Sequence, residues 1–260
     1  MPKKPKNERP LHLRYPEDYV ANGLIQPGTS IKSCITKMPK ILELFKGTGS
    51  VGDAFECIGW EVTSVAMVAK FKPTHVCNIL DFDYEQYPPD HFDFVWGSPP
   101  CTEFSIAKTS GIRDIEGATK IVERTLEIIR YFKCPFAMEN PQSGYLKQQP
   151  CVQGLPFKDV SYCKYGMPYR KMTRLWTDLG EYWDPKPTCL VEKCPHKAQF
   201  GIHGKTAQKR SCKIRGGYRA EDIFTRDQLY RIPAELCDEI ANAATSKYVS
   251  QQASTQSNTP

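Results

Sequence analysis

Short apolar runs alternate with polar turns from residue 41 onward, and this alternation predicts the core of the fold. Five runs have the length and residue types of β-strands: ILELF, EVTSVAMV, HVCNIL, FDFVW and FAMEN. The loop KGTGS follows the first run, and a helical pattern separates the last two. Because strands alternate with helices, the pattern favours an α/β fold with a doubly wound, mostly parallel sheet.

The helical pattern spans about residues 117–132 and has two distinct faces. The apolar face carries Ile121, Leu126, Ile128, Ile129 and Phe132. The polar face carries Lys120, Glu123, Arg124, Glu127 and Arg130. We therefore expect this helix to cover one face of the sheet.

The pattern divides the chain into five segments. Residues 1–39 are basic and then rich in Pro and Gly, which indicates an arm with irregular structure. Residues 40–163 hold the strand signals and form the main domain, whereas the irregular signals of 164–231 predict a small second lobe. We expect a helix within 232–248 that packs back on the main domain, and a disordered polar tail over 249–260.

The composition is that of a globular protein with one sizeable core, since 40% of the 260 residues are hydrophobic. No run approaches about 18 uninterrupted apolar residues, and MPKKPKNERP lacks the apolar stretch of a secretory signal. We expect a soluble, intracellular protein with no obligate protein partner. The eleven cysteines are scattered along the chain, which favours reduced thiols over a disulfide framework.

The net charge of +6 is unevenly distributed. Residues 193–220, called the basic segment below, contain no acidic residue and contribute +8, so the remainder sums to 6 − 8 = −2. The cations are Lys193, Lys197, Lys205, Lys209, Arg210, Lys213, Arg215 and Arg219. Such a single-sign segment is typical of a polyanion-binding surface, and a solvated basic loop is the alternative.

A glycine loop follows the first predicted strand and consists of Phe45, Lys46, Gly47, Thr48, Gly49 and Ser50. Glycines let the backbone approach a ligand closely, and the start of a helix offers free N–H groups. The loop therefore predicts a site for a nucleotide-like cofactor at the carboxyl edge of the sheet. A tight structural turn is the alternative, because a lone G-x-G is a weak signal.

Two further strand ends carry reactive groups. In GSPPCTEFS, two prolines fix the backbone just before Cys101, which makes this thiol a candidate nucleophile rather than a packed core residue. Glu139 lies one residue before the end of the run FAMEN, where partial desolvation favours the protonated carboxyl of a general acid. A solvated glutamate at the end of a strand is the alternative.

These motifs resemble the cytosine-5 DNA methyltransferases. ELFKGTG, GSPPCTEFS and MENP have the order and spacing of that family's cofactor loop, nucleophile motif and acid motif. Tyr165-Gly166-Met167-Pro168, followed by Lys171 and Arg174, is similar to its basic motif, and Ile232-Pro233 to its closing motif. The resemblance covers about residues 40–244 and implies a class I methyltransferase fold, which is Rossmann-like.

The resemblance also implies roles for individual residues. Cys101 would add to C6 of a cytosine flipped out of double-stranded DNA, and Glu139 would bind ring N3. Lys171 or Arg174 would hold the cytosine O2 or a phosphate. S-adenosylmethionine would bind to the glycine loop, with Phe45 against the adenine. The implied cofactor residues are Phe45, Lys46, Gly47, Thr48, Gly49, Ser50, Met67, Asn78, Ile79 and Pro99.

The chain departs from the family at three places. The stretch 66–69 reads Ala-Met-Val-Ala where an acidic residue usually binds the ribose, and Asn78 stands where an aspartate is usual. Lys171-Met172-Thr173-Arg174 replaces an arginine-x-arginine pair. Two alternatives therefore remain open: methylation of transfer RNA, and DNA binding by a catalytically degenerate descendant.

The eight cations of the basic segment would contact phosphates, and Arg210, Arg215 or Arg219 would also reach guanine edges. The predicted DNA-binding residues are Lys205, Lys209, Arg210, Lys213, Arg215 and Arg219. Zinc-binding residue types also occur in this region, at Cys189, Cys194, His196, His203 and Cys212. Their spacing matches no recognised zinc finger, so the sequence assigns no metal.

Overall fold

The computed structural model describes residues 37–167, 169–190, 194 and 226–257. Its sheet has seven strands in the order β3-β2-β1-β4-β5-β7-β6. The strands are Lys40–Leu44 (β1), Glu61–Ala66 (β2), His75–Val76 (β3), Phe94–Gly97 (β4), Phe136–Pro141 (β5), Phe157–Ser161 (β6) and Met172–Thr177 (β7). Strands β1 to β5 pair in parallel, and β7 pairs antiparallel with both β5 and β6. The predicted mostly parallel α/β sheet is confirmed.

The described residues form α-helices and short 3₁₀ helices in addition to the sheet. The α-helices are Ser50–Cys57 (α1), Ile115–Phe132 (α2), Arg226–Tyr230 (α3) and Ala234–Ser257 (α4). Short 3₁₀ helices are Ala69–Phe71, Ile79–Asp81, Tyr84–Gln86, Tyr145–Gln148, Pro150–Val152, Tyr162–Tyr165 and Gly180–Tyr182. None of the helices in the described ranges has both the length and the apolar character needed to cross a membrane.

Helix α2 begins two residues earlier than the apolar pattern indicated. Asp114 caps it, because its Oδ1 accepts a hydrogen bond of 2.8 Å from the backbone N–H of Gly117. The helix ends at Phe132, where Lys133 takes a left-handed conformation with φ of 51°. A capping aspartate thus sets the start of the helix that covers one face of the sheet.

Alternate side chains of β1 enter two separate apolar cores, as the period of a strand requires. Ile41 packs in the core formed with α1 and α4. Leu42 and Leu44 point the other way and pack with α2. Helices therefore cover both faces of the sheet, which is the doubly wound arrangement that the sequence predicts.

The predicted boundary between main domain and small lobe at residue 163 is corrected by β7. This strand, Met172–Thr177, lies inside the sheet between β5 and β6, although the sequence placed it in the lobe. Both faces of this strand carry buried side chains, with Thr173 and Leu175 on one side and Trp176 on the other. The main domain therefore continues at least to the end of β7.

The predicted disordered tail is also corrected, because α4 continues through Ser257. The sequence after Tyr248 is VSQQASTQS and contains neither Gly nor Pro, so nothing in it breaks a helix that has already begun. The disorder had been predicted from the polar composition of this stretch alone, and polar composition does not by itself prevent a helix. Residues 258–260 lie outside the described ranges.

A buried hydrogen bond connects α4 to the sheet. The indole N–H of Trp60, just before β2, donates to Oγ1 of Thr245 over 2.9 Å, and that hydroxyl donates in turn to the Ala241 carbonyl. The Trp60 ring also contacts the ring of Tyr248 edge-on at 5.9 Å. Because the donor and acceptor are both buried, removing one of them leaves the other unsatisfied.

We expect Thr245→Val to lower the free energy of unfolding by about 1–3 kcal/mol, because the near-isosteric side chain leaves the Trp60 indole without an acceptor. Urea unfolding followed by tryptophan fluorescence measures the change. Ser246→Ala is the matched control, since it removes a similar hydrogen bond to a helix carbonyl, from Ser246 Oγ to Asn242, without touching Trp60. If the free energy of unfolding decreased equally in the two variants, the stabilising role assigned to the Trp60–Thr245 hydrogen bond would be contradicted.

Candidate active site

Three neighbouring strands end at the same edge of the sheet and bring the three sequence motifs together. Leu44 of β1 pairs with Gly97 of β4, and Gly97 pairs with Met138 of β5. The glycine loop, the Pro-Pro-Cys loop and Glu139 follow directly after these positions. The constellation inferred from the sequence therefore forms one continuous rim in the structure.

The backbone before Cys101 is held from two sides. The Asn140 side-chain amide donates to the carbonyl of buried Pro99 over 2.9 Å, and Ser98 Oγ accepts from the Trp96 indole over 2.8 Å. Cys101 as a residue is of intermediate exposure, and its thiol is largely desolvated. A backbone fixed directly before the cysteine is the arrangement expected for a positioned nucleophile.

Arg113 organises the loop that follows Cys101. Its guanidinium donates to the carbonyls of Glu103 and Ser105, each at 2.8 Å, and to the carbonyl of Lys108 at 2.6 Å. Lys108 also pairs with the Glu103 carboxylate. These bonds fold residues 102–114 onto themselves next to the thiol, a role for Arg113 that sequence reasoning missed.

Glu139 lies at the centre of a buried polar group. Its Oε1 accepts a hydrogen bond of 3.0 Å from the Tyr162 hydroxyl and lies 3.4 Å from Lys171 Nζ. The Lys171 ammonium also lies over the Tyr162 ring, 4.7 Å from its centre. Because the Glu139 residue is only 7% exposed, these partners compensate the cost of burying its carboxyl group.

The electrostatics of Cys101 follow from this arrangement. Burial raises the pKa of the thiol, the positive charge of Lys171 lowers it, and the negative charge of Glu139 raises it. Tyr162 is fully buried beside Glu139, which raises the pKa of its hydroxyl and keeps it a hydrogen-bond donor. Burial dominates, so the pKa of the Cys101 thiol lies above its usual value, and Lys171 is the neighbouring cation that opposes this rise.

Arg174 does not join this group, although the sequence assigned it the same role as Lys171. Its guanidinium binds the Asp159 carboxylate through two hydrogen bonds of 2.8 and 2.9 Å, and it stacks on Phe157 at 3.5 Å. In the register of β5 with β7, Glu139 faces Leu175, so Arg174 is on the opposite face of its strand. Of the two candidates, Lys171 is thus the one that lies beside Glu139, and the role given to Arg174 stays a prediction.

The glycine loop has the conformation that a close ligand approach requires. Phe45 has a φ of 63°, and Gly49, which begins α1, has a φ of 82°. A side chain built at Gly47 would meet no atom within 4 Å, so the space above the loop is open. The Lys46 N–H donates to Val65 at 2.9 Å, and Thr48 Oγ1 contacts Ser50 Oγ at 3.1 Å.

The other predicted cofactor residues lie around the ends of β2 and β3. Met67 directly follows β2 and is 68% exposed. Asn78 begins a 3₁₀ helix, and its Oδ1 already accepts from the Leu80 N–H at 3.1 Å, while Ile79 is buried. Ala66, at the position of the usual acidic residue, is itself buried. The exposed thioether of Met67 is thus the side chain that this strand end presents.

Sequence reasoning also missed Glu43 and Tyr162. Glu43 is buried against Gly52 of α1, and burial raises its pKa to about 7. A charged residue inside the apolar run ILELF was the available signal for it. Tyr162 carried no such signal, because its contact with Glu139 depends on how β6 and β7 pair beyond the motifs.

The six residues predicted to bind DNA lie outside the residues that the structure describes. They are Lys205, Lys209, Arg210, Lys213, Arg215 and Arg219. Their assignment therefore rests on the charge pattern of the basic segment alone.

Two variants test the electrostatic control of Cys101 in opposite directions. We expect Lys171→Gln to raise the thiol pKa and slow alkylation of Cys101 by iodoacetamide at a fixed neutral pH. We expect Glu139→Gln to lower that pKa and to accelerate alkylation. Peptide mass spectrometry measures the rate at Cys101, with Lys40→Gln, at the opposite end of β1, as the control. If the alkylation rate of Cys101 were unchanged in both variants, the proximity of Cys101, Lys171 and Glu139 would be refuted.

Comparison with known proteins agrees with this geometry. No protein-family profile matches the chain. A protein of Frog virus 3 (isolate Goorha) named "Probable DNA (cytosine-5)-methyltransferase" is 33% identical over 216 residues, a match that covers 77% of this chain and 98% of the viral protein. An identity of this extent shows common descent over nearly the whole relative. The chain belongs to the DNA (cytosine-5)-methyltransferase family.

Proposed function

We propose that this protein transfers the methyl group of S-adenosylmethionine to C5 of cytosine in double-stranded DNA, through a covalent adduct with Cys101. The observation that carries the proposal is the grouping of the Cys101 thiol with Lys171 and the Glu139–Tyr162 pair at the edge of the sheet. The open glycine loop follows the adjacent strand. The residues that we assign as nucleophile, acid and cofactor loop thus share one rim.

Cys101 acts first in the proposed reaction. Its thiolate forms a bond to C6 of the cytosine, and the displaced electron pair makes C5 nucleophilic. After C5 has accepted the methyl group, loss of the C5 proton restores the double bond and expels the thiolate. The nearby ammonium of Lys171 stabilises the thiolate at the start and the end of this sequence.

Glu139 prevents charge from building up on the ring. A protonated carboxyl donates to ring N3 while the thiolate attacks C6, so the adduct forms without a full negative charge. The Tyr162 hydroxyl binds one carboxyl oxygen and fixes its orientation, which leaves the other oxygen for the base. Lys171, on the same side, is the group we assign to the cytosine O2, in place of Arg174.

S-adenosylmethionine, when bound, supplies an electrophilic methyl group. The residues present fit such a molecule: the space above Gly47 is open, the first N–H groups of α1 face the loop, and Met67 offers an apolar surface for the adenine. Phe45 follows β1 directly and would contact the same ring. No acidic residue occurs at positions 66–69 for the ribose hydroxyls, so we expect weak cofactor binding.

A cytosine within a duplex cannot reach a thiol at the edge of a sheet, so the base must leave the stack. The +8 charge of the basic segment provides the phosphate contacts that a DNA duplex requires. We assign these contacts to its lysines and the reading of guanine edges to Arg210, Arg215 and Arg219.

The proposed chemistry predicts that Cys101→Ser abolishes methyl transfer and leaves DNA binding unchanged, because phosphate contacts dominate affinity. Tritium from labelled S-adenosylmethionine, counted in plasmid DNA and separately in transfer RNA, measures the reaction. Cys151→Ser, another partly buried cysteine, is the matched control and should retain full transfer. Label in RNA alone, or duplex binding without label in either polymer, would overturn the proposal.

The basic segment is tested by the salt dependence of DNA binding. Neutralising Lys205 and Lys209 together should flatten the slope of log K against log salt, by roughly 0.9 for each phosphate that the variant no longer neutralises, equally for all sequences. Fluorescence anisotropy with duplexes of several sequences measures this slope. The control is Lys120→Gln with Lys133→Gln, which neutralises two exposed lysines on and just after α2. An identical slope in the Lys205 and Lys209 variant and in wild type would place the DNA elsewhere.

A further inference from the structure

We propose that Cys163, Cys189 and Cys194 bind a zinc ion that connects the start of the basic segment to the edge of the sheet. The three residues come from separate parts of the chain: a 3₁₀ helix after β6, an irregular stretch after β7, and the first residues of the basic segment. The site is distinct from the residues assigned to methyl transfer.

The geometry of the three thiols fits a metal. Their sulfur atoms all lie within 4.8 Å of one another, and all three residues are buried. A tetrahedral zinc site with Zn–S bonds of about 2.3 Å needs sulfur atoms about 3.8 Å apart, so small movements suffice. Thiolates are the ligands that structural zinc sites prefer.

The cluster is separate from the two apolar cores. Among the described residues, its buried members are the three cysteines alone, with no large apolar side chain among them. Ordinary packing of cysteines as small hydrophobic residues would instead place each one among aliphatic or aromatic neighbours, as Cys237 is. A buried cluster that consists of cysteines only is better explained by a shared ligand.

The described part of the chain around Cys189 buries little apolar surface. Over the described residues 184–190 and 194, Cys189 and Cys194 are the only buried residues, and no helix or strand forms there. Leu190, the one large aliphatic residue of this stretch, is 67% exposed. A segment with so little buried apolar surface gains most from a metal crosslink.

The backbone already holds one of the ligands in place. The Cys189 N–H donates over 2.9 Å to the hydroxyl of Ser161, which is buried at the end of β6. Cys163 follows two residues later in the chain, so both sulfur atoms lie at the same strand end. A site that is organised before the metal arrives binds it with less loss of conformational entropy.

Three thiolates provide the core of the proposed site, and each must lose its proton when the metal binds. Zinc takes a fourth ligand in a tetrahedral site. The sequence candidates for it, His196, His203 and Cys212, lie outside the described residues, and the proposal does not depend on them. The sequence pattern did not indicate Cys163 as a ligand, because it lies 26 residues before Cys189.

The test is the zinc content of the full chain, purified from zinc-supplemented cells under reducing conditions without chelator. We expect close to equimolar zinc in wild type and removal of most of it in Cys163→Ala and Cys194→Ala. Cys237→Ala is the matched control, since Cys237 is equally buried but packs in the apolar core, and it should keep its zinc.

Cobalt reconstitution of the wild-type protein provides a second readout that needs no variant to fold. Addition of Co²⁺ to protein stripped of metal should produce thiolate charge-transfer absorption and the intense visible bands of a tetrahedral site, and Zn²⁺ should abolish both. Wild type that binds neither metal overturns the proposal. Equal zinc content in Cys194→Ala and Cys237→Ala also overturns the proposal. So does an intact mass that shows a disulfide between two of the three thiols.

Discussion

The active site depends on the parallel pairing of β1, β4 and β5. This pairing places Leu44, Gly97 and Met138 in one row, so the three loops that follow begin at the same edge. Side chains alternate along a strand, and a shift of β5 by a single residue would turn Glu139 from the face of α1 and α4 to the face of α2. The chemistry of the rim is therefore fixed by the same apolar contacts that fix the register.

The buried carboxyl group of Glu139 requires polar partners, and neighbouring strands supply them. Glu139 is accommodated because Tyr162 donates to it and Lys171 lies beside it, and both come from the antiparallel part of the sheet. The same strands bind Arg174 through Asp159 and remove it from the rim. The two antiparallel strands thus complete the site as well as the sheet.

Much of this arrangement was predictable from local sequence. Strand ends marked by Gly, Pro-Pro or Asn-Pro located the glycine loop, Cys101 and Glu139, because glycine permits backbone conformations that other residues avoid and proline fixes the backbone wherever it occurs. The choice between Lys171 and Arg174 was not predictable, since it depends on which face of β7 meets Glu139. Tyr162 and the Cys163 sulfur escaped prediction for the same reason: their neighbours are set by the antiparallel pairing, which no local signal encodes. The extent of α4 was missed because polar residues were taken as disordered, although none of them breaks a helix.

The central claim, that Cys101 bonds to the target base, is tested most directly by trapping the adduct. Fluorine at C5 cannot leave as a proton does, so a duplex whose cytosines are all 5-fluorocytosine should accumulate the covalent complex in the presence of S-adenosylmethionine. Peptide mass spectrometry of the denatured complex identifies the attached residue. The predicted result is a single modified peptide that contains Cys101. Methyl transfer to ordinary DNA without any adduct on the fluorinated duplex, or an adduct on another of the eleven cysteines, would contradict the account.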